Sequence, residues 1–262
     1  MPARGLTLPR GEAREHVGCR GRDYSLNGSE TRALATVGAF RVVSLEEVEG
    51  DLHADVRHGE WRNLAEQGLL THETFTDRDG AHHVVALTRE GKDLLEAHTT
   101  SGSGGHQQEY YAGLVKPREL AHDSQLHRVF RAEAGRIEGE GGRVTRVVLD
   151  YELKRDYQTF LNREDRPDDA DLDRDRAAFA EAHDLKVVHG HLELPDLRIE
   201  YETPDGRLEY RDVELVTEHY SRGQIAGKAR AGFVCYRAGH SGRGGHARRG
   251  GAPVDPRHLE RL

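Results

Sequence analysis

Three residues in the C-terminal half have types and spacing suited to chemistry on a phosphate ester. Pro195-Asp196 opens the stretch LRIEYE, and Glu214 sits in DVELVT between Val213 and Leu215. Alternation sends the Glu214 side chain to the face opposite its two apolar neighbours. Lys228 follows in a segment that reads as a helix. If the two stretches are neighbouring strands, their carboxylates can share one Mg²⁺, a cation that takes hard oxygen ligands. Such a cation activates water and offsets charge on a phosphate, with a lysine helping to orient the nucleophile. A plainer reading of Asp196, as a turn residue after Pro195, stays open.

Other reactive side chains carry less. His189 and His191 flank Gly190, and His82 and His83 are adjacent, but no ligand set has fixed helical spacing, so these read as surface or structural histidines. His122 and Asp123 read as a buried polar pair, because a general base needs a reacting partner and none is identifiable. Tyr110-Tyr111 reads as a docking patch of a linker rather than a nucleophile. With no visible metal site beyond Asp196 and Glu214, no cofactor is expected, except Mg²⁺ if that pair is active.

Several elements would position these groups. Residues 1–28 are rich in Gly and Arg without apolar periodicity and are expected to form a disordered arm. A first helix is expected from Ser29 as N-cap, with Leu34, Val37 and Phe40 on one face. A second starts at Ser44, with Glu47 completing a capping box and Val48 and Leu52 inward. The third spans about residues 54–67, carries Trp61, Leu64 and Ala65 as its apolar stripe, and ends at Gly68. In LLTHETFTDRDGAHHVVALT the pattern alternates about Asp79-Gly80, a hairpin signal. Thr88 caps a closing helix that buries Leu94 and Leu95.

Residues 99–113 read as a Gly/Ser linker. Beyond it are expected a helix over 118–138 with Leu120, Leu126, Val129 and Phe130 inward, and a strand over 144–153. Helices near 154–163 and 172–184 follow, then strands near 192–202 and 208–217 joined by Thr203-Pro204-Asp205-Gly206, then a helix over 222–233. Residues 237–262 read as a basic, flexible tail. The fold class is therefore α+β, with a helical and hairpin module over 29–98 and a small α/β domain over 114–236.

Bulk properties narrow the classes. The chain has 262 residues and a formal net charge of −8. No apolar run reaches the roughly 18 residues of a membrane span, and the N-terminus lacks an apolar signal core, so no membrane partner and no secretion are expected. Cys19 and Cys235 stand alone, which excludes a disulfide framework or thiolate zinc site and suits a reducing cytoplasm. Lysine occurs at only five positions, so Arg dominates the basic residues. A GC-rich genome explains that preference as well as phosphate binding does.

The order of three helices, a hairpin and a closing helix, carried by GLLTHETFTDRDGAHHVVALTREGKDLL, resembles the winged helix-turn-helix of many bacterial regulators. That resemblance implies a third helix facing double-stranded DNA, with Arg57, His58 and Arg62 on it and Arg78 at the wing tip. It also leaves a homodimer open. The second domain's order of helix, strand, hairpin and helix resembles the restriction-endonuclease-like fold. Asp196, Glu214 and Lys228 fit that fold's metal-dependent motif, written PD-(D/E)xK, with one departure. The usual lysine position holds Val216, and Lys228 would be a lysine moved to the next helix. The misplaced lysine, and the lack of a clear strand after residue 233, suit an inactive nuclease fold kept as a scaffold.

Together with RELAHDSQLHRVFR, LPDLRIEYETPDGRLEYRDVELVTEHY and KARAGFVCY, the chain resembles the replication-relaxation family over about residues 29–236. That resemblance implies a DNA-binding accessory or regulatory protein of a plasmid or conjugative element, acting in replication or mobilisation, and it does not by itself imply cleavage. Two alternatives remain open. One is an Mg²⁺-dependent nuclease. The other is an interaction module whose winged helix binds no DNA, since residues 29–98 hold seven basic and fourteen acidic side chains and phosphate contacts dominate DNA affinity.

Overall fold

A computed structural model describes residues 5–45, 60–77, 80–100, 107–114, 117–164, 166, 171–217 and 219–238. Order begins earlier than the composition suggests. Strands β1 (Glu15–Cys19) and β2 (Arg22–Leu26) pair as an antiparallel hairpin about Arg20-Gly21. Both turn residues take positive φ, 49° and 78°, as a two-residue primed turn requires. Val17, Cys19, Tyr24 and Leu26 point inward, and Leu6 and Leu8 join the same core. The expected disordered arm is thus wrong for residues 5–28. Its apolar residues are too few to show a period, yet they cover a helix that needs covering on every side.

That helix, α1 (Gly28–Phe40), is capped by Asn27 and not by Ser29. Asn27 and Glu30 form a capping box, and the fully buried Glu30 also pairs with Arg14 at 2.7 Å and accepts from Asn63 at 2.6 Å. One carboxylate therefore ties the hairpin, the cap and a later helix together. Gly28 meets the N-terminal segment so closely that a Cβ there would lie 2.1 Å from the Arg10 carbonyl oxygen. Gly28→Ala is expected to cost about 1–3 kcal/mol by overpacking, read as a lower urea midpoint. An unchanged midpoint would show that residues 5–14 do not hold this position.

Ser44 ends a short strand, β3 (Val43–Ser44), and the next residue, Leu45, is already helical, as a helix starting after Ser44 predicts. The remainder of the expected second helix and the start of the third lie outside the described residues. What is described of the third is α2 (Glu60–Glu66). Strands β4 (Leu70–Asp77) and β5 (Gly80–Leu87) pair Asp77 with Gly80, as the hairpin signal predicts, and β3 adds to β5 in the order β3-β5-β4. Thr88 caps α3 (Arg89–Ala97) by accepting from the Gly91 amide at 3.1 Å, and Leu94 and Leu95 are buried.

Residues 107–113 do not behave as a linker. Tyr110 and Tyr111 are buried, the Tyr111 amide donates to Gly38 O at 2.8 Å, and the Gly113 amide donates to Leu87 O at 2.8 Å. Gln108 pairs through its amide with both the N–H and the C=O of Val147, each at 2.9 Å. One continuous apolar core then runs from Leu34 and Phe40 to Val129, Phe130 and Ile137, so the two halves are packed together rather than separate. The reason is local: α1 is apolar nearly all round, and a helix of that kind must be covered on all faces.

The second half is built on α4 (Pro117–Gly139), β6 (Arg143–Leu149), α5 (Asp150–Leu161), α6 (Leu172–Ala182), β7 (Lys186–Val188), β8 (His191–Glu193), β9 (Leu197–Glu202), β10 (Leu208–Val216), α7 (Arg222–Ala231) and β11 (Val234–Arg237). Leu120, Leu126, Val129 and Phe130 of α4 are buried as expected. The sheet order is β11-β10-β9-β6, antiparallel except for the parallel pair β10–β11. Three expectations change. The strand expected over 144–153 ends at Leu149, where the chain turns into α5. The strand expected over 192–202 breaks at Pro195, which cannot donate to a ladder. A strand does follow α7, namely β11, whose VCYR segment is too short to show alternation. Its Cys235 and Tyr236 are both buried. Among the described residues, no helix is long and apolar enough to cross a membrane.

Candidate functional site

Asp196 lies just before β9 and Glu214 lies on the adjoining β10. The two are locked through the backbone. The Asp196 amide donates to Glu214 Oε2 at 3.3 Å, and Asp196 Oδ2 accepts from the Leu215 amide at 2.8 Å. Lys228 reaches in from α7, whose N-terminus is fixed by a capping box of Ser221 and Gln224. Its ammonium sits 3.1 Å from Glu214 Oε1, 3.3 Å from Glu193 Oε2 and 2.8 Å from the Leu194 carbonyl oxygen. The three residues singled out from the sequence therefore meet, from two strands and the following helix.

Other groups complete the cluster. Tyr220 donates its hydroxyl proton to Glu214 Oε1 at 2.8 Å. His122, on α4, lies with Nε2 3.3 Å from Asp196 Oδ2 and Nδ1 3.2 Å from Asp123 Oδ1. Lys154, on α5, pairs with Asp150 and feels the charges of Asp196 and Glu214. Tyr220 and Lys154 have no signal in the sequence, because nothing local marks Tyr220 as facing Glu214 or Lys154 as lying within reach of its charge. His122 and Asp123 were visible only as a pair, since the partner Asp196 lies 74 positions away.

The electrostatics follow from burial. Glu214 is 1% exposed, and burial followed by the neighbouring Asp196 charge pushes its pKa up to about 7, although Lys228 pulls it down. Burial alone would lower the His122 pKa, but hydrogen bonds to Asp123 and Asp196 outweigh it and raise the value to about 10. The ring is thus an imidazolium at neutral pH and donates from both nitrogens. Burial and the Glu214 charge lift Tyr220 above its ordinary value, and the same two causes push Cys235 up to about 11.

The donor set suits one kind of metal. Among the described residues, no group of three or more His, Cys, Asp and Glu side chains is arranged to hold an ion. Two hard carboxylates remain, and the Glu214 pKa is raised first by burial and then by the charge of Asp196. A divalent cation would relieve that charge, and Mg²⁺ commonly takes one or two carboxylates and completes its shell with water and phosphate oxygens. Asp196 and Glu214 fit such an ion, and His189 does not, being paired with Arg230 at 2.9 Å.

Of the residues expected to face DNA, Arg57, His58 and Arg78 lie outside the described residues. Arg62 is exposed on α2, its guanidinium 5.6 Å from the Trp61 ring centre. Trp61 is half-buried against the core, with its ring 5.5 Å from that of His72, so it is less enclosed than its stripe partner Leu64. Comparison with known protein families, curated proteins and solved structures returns no match.

Proposed function

We propose that this chain is a metal-dependent nuclease of the restriction-endonuclease-like kind, directed to duplex DNA by a winged-helix half, in the setting of plasmid or conjugative-element replication that the replication-relaxation resemblance implies. One observation carries the reading: Asp196, just before β9, interlocks with Glu214 on the adjoining strand β10, and Lys228 bonds Glu214 from the next helix. Support also comes from β11, which supplies the strand such a core needs after its helix.

Asp196 and Glu214 would hold the cation, which when bound lowers the pKa of a coordinated water and offsets phosphate charge. Lys228 and Tyr220 both donate to Glu214 Oε1, so they fix its orientation and favour its ionised form. His122 places a positive charge beside Asp196, where an anionic phosphodiester would approach. Arg198, bonded to both Asp212 oxygens at 2.7 and 2.9 Å, ties β9 to β10 and keeps the two carboxylates in register.

A second reading has its own support. Val216 stands where the motif lysine belongs, and Lys228 is engaged by three acceptors, as a structural counter-ion would be. On that reading the chain is a DNA-binding accessory protein with a silent site. Supercoiled plasmid nicking separates the two. The expected result is nicking that needs Mg²⁺ or Mn²⁺ and disappears in Asp196→Asn, which removes a charge and keeps the shape. Duplex binding without any cation-dependent nicking supports the accessory reading, and nicking that survives Asp196→Asn sinks the proposed site.

A further inference from the structure

The helix α1 ends in an unusual turn. The Val42 amide donates back to Phe40 O at 2.6 Å, and the residue between them, Arg41, has φ 63° and ψ −53°. This is a γ-turn of the positive-φ kind, which is rare and strained for a residue with a Cβ. Strain of this sort persists only where the surroundings over-determine it, and it clusters at functional positions. Here the turn aims the Arg41 side chain away from its own half of the molecule. Its Nη1 lies 3.4 Å from Asp123 Oδ2, and its guanidinium lies 5.2 Å from the ring centre of Tyr151 on α5.

From Asp123 the contacts continue without a break. Asp123 Oδ1 takes one His122 ring nitrogen at 3.2 Å, and the other ring nitrogen reaches Asp196 Oδ2 at 3.3 Å. The side chains along this path are 22%, 12%, 29% and 14% exposed for Arg41, Asp123, His122 and Asp196. Carboxylates alternate with a guanidinium and an imidazole along it, so each inner group has a polar partner on either side in a partly buried place. Asp123 uses one oxygen for His122 and the other for Arg41. Among the described residues, Arg41 and His122 are the side chains that bond that carboxylate.

We propose that Arg41 is a positioning residue for the candidate site, acting through Asp123 and His122 to hold the Asp196 carboxylate. Its place in the first half of the chain makes that half a structural part of a site otherwise built by the second. The consequence for metal binding rests on the nuclease reading above, whereas the relay itself does not.

The test uses the full chain and a double-mutant cycle of Arg41→Gly and Asp123→Asn. Glycine accepts a positive φ, so Arg41→Gly removes the side chain while relieving the turn, and circular dichroism checks that the fold is kept. NMR of the His122 ring N–H signals, assigned by their loss in His122→Gln, reads the relay directly. Mn²⁺ affinity by electron paramagnetic resonance reads its effect on the site. Expected are shifted or broadened His122 ring signals in Arg41→Gly, and Mn²⁺ binding weakened about tenfold or more, as outer-shell substitutions do. Arg41→Lys should restore part of that loss, and the double variant should bind no worse than Asp123→Asn alone, because the two residues act in series. Unchanged His122 signals in a folded Arg41→Gly overturn the relay. If the wild-type protein binds no Mn²⁺, the nuclease reading fails, and the ring signals still decide on Arg41.

Discussion

Lys228→Met is expected to destabilise the metal-free protein by about 3–5 kcal/mol at pH 8, the usual cost of leaving one partner of a buried ion pair alone, and by far less at pH 5. The asymmetry comes from Glu214. Its pKa in the folded chain is raised to about 7 from an ordinary 4.5. A carboxylate with a raised folded-state value favours the fold most below its unfolded pKa, and loses that contribution as pH rises through the folded one. In the wild type this loss falls between about pH 4.5 and pH 7. Lys228 lowers the Glu214 value, so its removal moves the folded pKa higher and carries the loss to more alkaline pH. Urea unfolding in the presence of a chelator, at both pH values, gives the comparison. An equal loss at pH 5 and pH 8 would mean that Lys228 matters through its other contacts, to Glu193, to the Leu194 carbonyl and over the Phe233 ring, and not through Glu214.

Phe40→Ala is expected to cost about 3–5 kcal/mol and to weaken both halves of the molecule together. Phe40 is fully buried at the end of α1, with its ring centre 5.0 Å from that of Phe130 and 5.1 Å from that of His127. Both partners belong to α4, the helix that underlies the second sheet. The only tryptophan, Trp61, reports on the first half, while far-UV circular dichroism reports on the whole chain. In a single cooperative unit the two signals fall along one curve, and Phe40→Ala shifts that curve as a whole. Two transitions, with only the Trp61 signal displaced, would show that the halves fold independently and that the shared core is not energetically continuous.

Much of the local structure was legible in the residues themselves. The hairpin that pairs Asp77 with Gly80, the Thr88 cap, the inward face of α4 and the turn at Thr203–Gly206 all depend on neighbours within a few positions. Such signals are short-range because caps, turns and helical faces repeat every two to four residues. Asp196, Glu214 and Lys228 were also legible as residue types suited to one job, though not as neighbours.

The N-terminal hairpin was missed because its few inward residues matter only once α1 is there to be covered. The segment with Tyr110 and Tyr111 looked like a linker because its composition says nothing about Gly38, whose missing side chain leaves room for the Tyr110 ring. The strand β11 was missed because four residues are too few to show a period.

The site shows the same division more sharply. Residue chemistry alone determined that two carboxylates and a lysine stood on consecutive elements of the second half. Tertiary packing decided that Glu214 would be buried enough to resist ionisation, that Tyr220 would face it, and that His122 would bridge Asp123 to Asp196. It also decided that Arg41, 82 positions from Asp123, would reach across from the first half. Contacts over such separations depend on how helices and sheets stack, and a shift of one helix by a turn would redirect them all. No rule acting over a few residues can encode that placement. It is set by the burial of a continuous core, in which α1 and α4 share Phe40.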